Sequence, residues 1–144
     1  VNVKLLRVNP NAKLPTKGTK GSAYYDLYAA ESAILAYAWA ENLKVITTGW
    51  RIEVPEGYFL DIRPRSGLAT KSITVVNSPG TVDADFRGEL KIILINLSGI
   101  AYVVNTGDRI AQCALMPVHI TNFFEVSALA ETARGEGGYG STGR

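Results

Sequence analysis

The sequence predicts an all-β fold, either a closed barrel or two packed sheets. Three observations carry that reading. Apolar and polar residues alternate with a period of two in successive short segments. Turn signals separate those segments at Pro55-Glu56-Gly57, Ser78-Pro79-Gly80, Ser98-Gly99 and Thr106-Gly107. The 144 residues make one domain, large enough to bury a core without disulfides or a structural metal.

Taken in order, Val1, Val3 and Leu5 alternate with Asn2 and Lys4 as a first strand. Ala29–Leu43 is rich in alanine and passes as a helix on propensity. The flanking strands leave little room for a packed helix, so a strand with a longer loop is expected there. Trp50, Ile52 and Val54 alternate with Arg51 and Glu53; Tyr58, Leu60 and Ile62 alternate with Phe59, Asp61 and Arg63. Leu68–Ser72, after Ser66-Gly67, is the expected short helix. Leu90–Ile95 is apolar almost throughout, as a strand buried on both faces would be. Ile100–Val104 and Arg109–Met116 follow as strands, the second closed by Pro117. The barrel domain is placed at residues 1–130, with a flexible arm over 131–144.

Composition narrows the function. A net charge of +2 with 19% charged residues gives no extended surface for nucleic acid. Cys113 has no partner for an internal disulfide and sits in the apolar stretch IAQCALM, where it reads as a small buried hydrophobe. No apolar run is long enough to span a bilayer and no signal-peptide pattern is present, so a soluble, intracellular protein with no membrane partner is expected.

The final residues read RGEGGYGSTGR, with five glycines between Gly135 and Gly143. Glycine loses more backbone entropy on ordering than any other residue, so this tail cannot hold a shape alone. It nevertheless carries Arg134, Tyr139, Ser141 and Thr142, groups that can grip a polyphosphate and cover a flat base. A frayed terminus is the alternative. Four of the five aspartates lie in short polar-glycine contexts: Asp26 in GSAYYDL, Asp83 and Asp85 in GTVDADFRG, Asp108 in GDRIAQ. Asp85 reads equally as a turn cap, Asp108-Arg109 as a turn with a surface ion pair, and Asp26 as a hydrogen-bonded structural carboxylate. Asp83, after apolar Val82, is harder to assign to packing. Arg65-Ser66-Gly67 offers a guanidinium, a hydroxyl and backbone amides to an anion.

Other chemistries are excluded by residue type. The only histidine is His119, which reads as a strand-end residue, and it builds no Ser-His-Asp set. One His and one Cys make no zinc site. The tail lacks the Gly-Lys-Ser/Thr of a phosphate-binding loop. An oxygen-ligand site for a hard cation remains, with carboxylates holding the waters of Mg²⁺ while arginines and amides hold phosphates.

Along nearly its whole length the chain resembles the trimeric dUTPase family (deoxyuridine triphosphate diphosphatases). Five motifs carry the resemblance in order: GSAYYDLYAA, RPRSGLA, GTVDADFRGEL, GDRIAQ and RGEGGYGSTG. It implies a jelly-roll-like β-barrel with one short helix after the second motif. It also implies a homotrimer whose sites combine the first, second and fourth motifs of one subunit, the third of another and the tail of the remaining one, the tail closing as a lid. The implied reaction is hydrolysis of dUTP to dUMP and pyrophosphate by water attack on the α-phosphorus, with Mg²⁺ as cofactor.

The resemblance also implies roles for single residues. Asp83 would hold the 3′-hydroxyl and act as general base on the attacking water. Asp26 would bind Mg²⁺ through its waters. Arg65, Ser66 and Gly67 would cradle the α- and β-phosphates, and Gln112 would fix phosphates and water. Asn77 with the backbone of Gly80, Thr81 and Val82 would read the uracil edge, with Lys91 nearby, and Phe86 would exclude a 2′-hydroxyl. Arg134, Ser141 and Thr142, with Gly140 beside them, would clasp the γ end, and Tyr139 would stack on uracil.

Three departures from the family stand out. Tyr24 occupies a position where a small residue, often glycine, is usual. Phe86 and Tyr139 exchange the usual Tyr and Phe. The stretch from Asp26 to Gly49 is a few residues longer than usual. A related dCTP deaminase would need a glutamate where Ile93 stands, and a non-catalytic dUTP-binding module would need broken chemistry, whereas Asp26, Ser66, Asp83 and Gln112 are all present.

Overall fold

Ten strands and one helical turn succeed one another in the computed structural model, which describes residues 1–37 and 41–138. They are β1 (Lys4–Arg7), β2 (Tyr25–Tyr28), β3 (Ala33–Leu35), β4 (Leu43–Glu53), β5 (Tyr58–Arg63), α1 (Ser66–Ala69), β6 (Ile73–Val75), β7 (Gly80–Val82), β8 (Glu89–Asn96), β9 (Tyr102–Val104) and β10 (Arg109–Pro117). One four-stranded sheet runs β1-β4-β8-β6 and a second runs β2-β10-β5-β7, with β3-β9 as a separate ribbon. Every pairing is antiparallel. The all-β, jelly-roll-like expectation holds.

The inner faces of the two sheets make the core. Ile46, Ile92 and Leu94 from one sheet and Leu27 and Ile110 from the other are fully buried. The alternation that predicted β4 and β5 places Trp50, Ile52, Val54, Leu60 and Ile62 inward. β8 departs from expectation. Leu90, Ile92 and Leu94 are buried, but Lys91 is exposed and Ile93 and Ile95 are only half-buried. On a single protomer this outer face is partly open, and Ile93 and Ile95 pair there with exposed Val45 and Leu43 of β4.

The alanine-rich segment contains β3, which pairs with β9, and is otherwise loop among the described residues. The helical turn begins at Ser66, two residues before the expected start, because Arg65 is still extended (ψ 138°) and the chain turns helical only after it. It ends at Ala69 with Thr70 as its C-cap, and Ser72, two residues further on, enters the left-handed region at φ 59°. Pro117 is the last residue of β10 rather than lying beyond it. Gly49 sits in the interval where the β4–β8 register shifts; its φ of 75° and its close neighbours Ala12, Asn9 and Ala30 leave no room for a side chain. Cys113 is buried as expected, and burial pushes its thiol up to about 12. No helix among the described residues is long and apolar enough to cross a membrane.

Candidate active site

The second sheet positions two separate sites. At its β2 edge, Asp26 lies directly opposite Gln112 of β10. The turn from β5 into α1 brings Arg65 and Ser66 beside them, and together with Tyr24 and Arg109 they line a cavity of about 350 Å³. Arg65 Nε donates to Asp26 Oδ1 at 2.7 Å, and Arg109 Nη1 donates to Oδ2 at 3.3 Å. The Asp26 side chain is only 12% exposed, so this pairing offsets the cost of sequestering its charge. Gln112 Nε2 donates to the Pro64 carbonyl at 2.9 Å, which fixes the amide and leaves its oxygen free to accept. Gly67 follows in α1 with open space around it.

Among the described residues no three His, Cys, Asp or Glu side chains cluster. Asp26 is the sole carboxylate among the described residues lining the cavity. An all-protein cage is therefore excluded among the described residues. A Mg²⁺ that keeps several waters and takes its other ligands from phosphates needs only one or two carboxylates. Asp26 retains lone pairs beyond the two engaged by arginine, so the residues fit that kind of ion.

At the opposite edge of the same sheet lies β7, which among the described residues is paired only to β5. Its free edge presents the backbone of the Gly80–Val82 strand to a ligand. Thr81, Val82, Asp83, Phe86 and Lys91 line a cavity of about 310 Å³. Asn77, Gly80, Thr81, Val82 and Lys91 border an adjoining one of about 90 Å³. A Cβ on Gly80 would approach Ile62 to 3.3 Å and the Asn77 amide to 3.4 Å, so the hairpin is tight. Asp83 is exposed and opens a turn closed by Phe86 N donating to its carbonyl at 3.2 Å. The Phe86 ring rests on Gly88, where a Cβ would come within 2.5 Å of Cζ. Asp85 is exposed in that turn.

One protomer does not bring the two sets together. Three strand spacings, about 14 Å, separate β2 from β7, and the lining of the Asp26 cavity shares no residue with either cavity at β7. Arg134 lines none of them; its Nε donates to the Gly137 carbonyl at 2.7 Å. Tyr139, Gly140, Ser141 and Thr142 lie outside the described residues.

Sequence reasoning missed two features. Arg109 pairs with Asp26 rather than with Asp108, whose Oδ2 instead accepts from Asn105 N at 2.8 Å as a turn residue. Asp61 is buried and accepts on Oδ2 from the Tyr24 hydroxyl at 2.8 Å and from Arg63 Nε at 2.7 Å. The hydrogen bond to Asp61, aided by burial, raises the Tyr24 phenol above its ordinary value. The unusual residue at position 24 was the available signal.

The chain is thus an antiparallel two-sheet protein with an arginine–carboxylate–amide pocket at one edge of its second sheet and a backbone-lined apolar cleft at the other. The chain belongs to the dUTPase family: the profile of that family matches residues 10–143. It is 46% identical over 145 residues to the deoxyuridine 5'-triphosphate nucleotidohydrolase of Wolinella succinogenes, covering 100% of this chain and 95% of that protein. It is 42% identical to that of a Helicobacter pylori strain, covering 99% and 97%. Among solved structures, a mutant dUTPase of Staphylococcus bacteriophage 80alpha with dUpNHpp superposes with a TM-score of 0.88 at 26% identity, covering 99% of both chains. A mutant dUTPase of a second S. aureus phage, described as coordinating a structural Mg(II) ion, shares the fold with a TM-score of 0.80 at 23% identity, covering 91% of this chain and 100% of that one.

Proposed function

We infer that this protein hydrolyses dUTP to dUMP and pyrophosphate. The observation that carries the reading is the division of labour just described. Asp26, Arg65, Ser66 and Gln112 share one cavity suited to phosphates, while Asp83 and Phe86 border another beside a free strand edge. Arg65 presents a planar fork of donors to phosphate oxygens, and Ser66 and Gly67 add a hydroxyl and amides. At β7 a base can pair with the strand's unpaired backbone groups and the Asn77 amide. The narrow hairpin rejects a thymine methyl by overlap and cytosine by its reversed donor–acceptor pattern. Phe86 sits where a 2′-hydroxyl would meet its ring. Asp83, exposed at the end of β7, takes the proton of the attacking water as general base.

Asp26 would hold Mg²⁺ through its waters, with the phosphates supplying the other ligands. When bound, the ion supplies neutralisation of charge on the phosphate oxygens. Asp26 is itself held by Arg65 and Arg109, which orient its carboxylate toward the cavity.

The two cavities share no lining residue within one protomer, and we propose a homotrimer with shared active sites. Supporting this, Ile120, Phe123, Phe124 and Leu129 after β10 are 82–96% exposed on the single chain. An open apolar groove of about 360 Å³ lined by Val3, Leu14, Trp50, Ile52 and Leu115 offers such side chains cover. The tail from Arg134 would then close over a neighbour's nucleotide. The test is pyrophosphate release from dUTP compared with dCTP, dTTP and UTP, with and without Mg²⁺. Selective release from dUTP supports the reading, whereas ammonia release from dCTP would replace it with deamination.

A further inference from the structure

Asp61 is buried in β5, with its side chain 7% exposed. A buried carboxylate needs partners, and here one oxygen takes both the Tyr24 hydroxyl and Arg63 Nε. The sheet register explains how Tyr24 reaches it. Cys113 lies opposite Tyr25, Ala114 opposite Asp61, and Asp61 opposite Thr81. Tyr24, one residue before β2, therefore shares a rung with Ala114, Asp61 and Thr81. Ala114 is small enough for the tyrosine ring to pass over β10 and end on β5. The Arg63 guanidinium lies 5.5 Å from the centre of that ring.

This bridge ends in the phosphate pocket. Tyr24 lines the same cavity as Asp26, Arg65 and Ser66, and it stands two residues from Asp26. β2 is a four-residue edge strand, paired within the sheet to β10, and among the described residues its outer side carries an isolated bridge from Thr16 to Asp26. Only the Asp61 end of this pair is buried, since the Arg63 side chain is 53% exposed, so the ion pair by itself adds little to stability. Its position beside the pocket gives it a different purpose.

We propose that Asp61 and Arg63 are positioning residues that fix Tyr24 as a rigid wall of the phosphate pocket and tie down the edge strand carrying Asp26. The proposal rests on the dUTPase reading above. Tyr24 meets the polyphosphate, and Asp61 and Arg63 act through it. Their effect falls on where the phosphates sit, not on which base is chosen, because the base-reading edge at β7 is lined by other residues.

The experiment measures kcat, KM, melting temperature and dUpNHpp affinity for the wild type, Tyr24→Phe, Asp61→Asn and the double variant. Wild-type protein without dUTP turnover would sink the dUTPase reading itself. With an active wild type, Tyr24→Phe is expected to lower kcat about tenfold while dUpNHpp affinity changes by less than about threefold. The double variant should be no slower than the slower single variant, since the two residues act as one unit. The preference for dUTP over UTP should stay unchanged. Wild-type kcat in Tyr24→Phe, even with a lowered melting temperature, would reduce the bridge to scaffolding and overturn the proposal. Losses that multiply in the double variant would also overturn it. Should Asp61→Asn not fold, Arg63→Gln takes its place in the cycle with the same expected outcomes.

Discussion

Arg65 Nε donates to Asp26 Oδ1 at 2.7 Å across 39 residues of sequence, so the second motif grips the first before any ligand arrives. The pairing engages Nε, and Nη1 reaches the Arg109 carbonyl at 3.5 Å, so the remaining donors of the fork are the ones proposed to meet phosphate. Lysine can offer a charge but not two fixed directions at once. Arg65→Lys is expected to raise KM for dUTP about tenfold and to lower kcat as well, because Asp26 loses its anchor. Steady-state kinetics check this; unchanged KM and kcat would separate Arg65 from phosphate binding.

Asp83 has a simpler expectation. Its exposed carboxylate follows directly on β7, and Asp83→Asn keeps the shape while removing the basic oxygen. Binding of dUpNHpp should persist while turnover falls by about 10²–10⁴-fold. Near-normal turnover in a pyrophosphate-release assay would take the general base away from this position.

The strands were legible where one face is polar, as in β4 and β5, because period-two alternation survives there. β8 was not fully legible, since Ile93 and Ile95 are apolar on a face that the protomer leaves half-open. Asp61 was hidden by the same rule that found β5: alternation marks it as outward-facing, which it is, yet Tyr24 covers it. Arg109 was misread because its sequence neighbour Asp108 supplied an obvious partner, while the real one lies 83 residues away on β2. The motif residues stood out one by one. Their sorting into two cavities at opposite sheet edges depends on strand order, which short local patterns do not encode.

The tip of the Phe86 ring rests against Gly88, and that contact holds the ring at the mouth of the β7 cavity. Phe86→Ala should weaken discrimination against UTP more than it weakens turnover of dUTP. The ratio of kcat/KM for dUTP over UTP is expected to fall about tenfold or more. An unchanged ratio would mean that the sugar is read elsewhere.

The arm makes a separable prediction. Deleting residues 134–144 removes Arg134 and the glycine-rich tail but none of the core residues. Turnover should drop strongly while sedimentation still reports a trimer. Dissociation into single chains would instead make the tail part of the assembly.

Two glycines with nearly equal backbone angles give a final contrast. Gly49 has φ 75° and Gly57 has φ 80°, so alanine at either pays the left-handed penalty of about 1–2 kcal/mol. At Gly57 nothing lies within 4 Å of a new Cβ. At Gly49 that Cβ would stand 2.6 Å from the Ala12 Cβ and 2.9 Å from the Asn9 Cβ, adding about 1–3 kcal/mol of overpacking. Gly49→Ala should therefore destabilise the protein by clearly more than Gly57→Ala in denaturant titrations. Equal losses would show that the segment around Ala12 yields freely, and that the bend in β4 is not held by close packing.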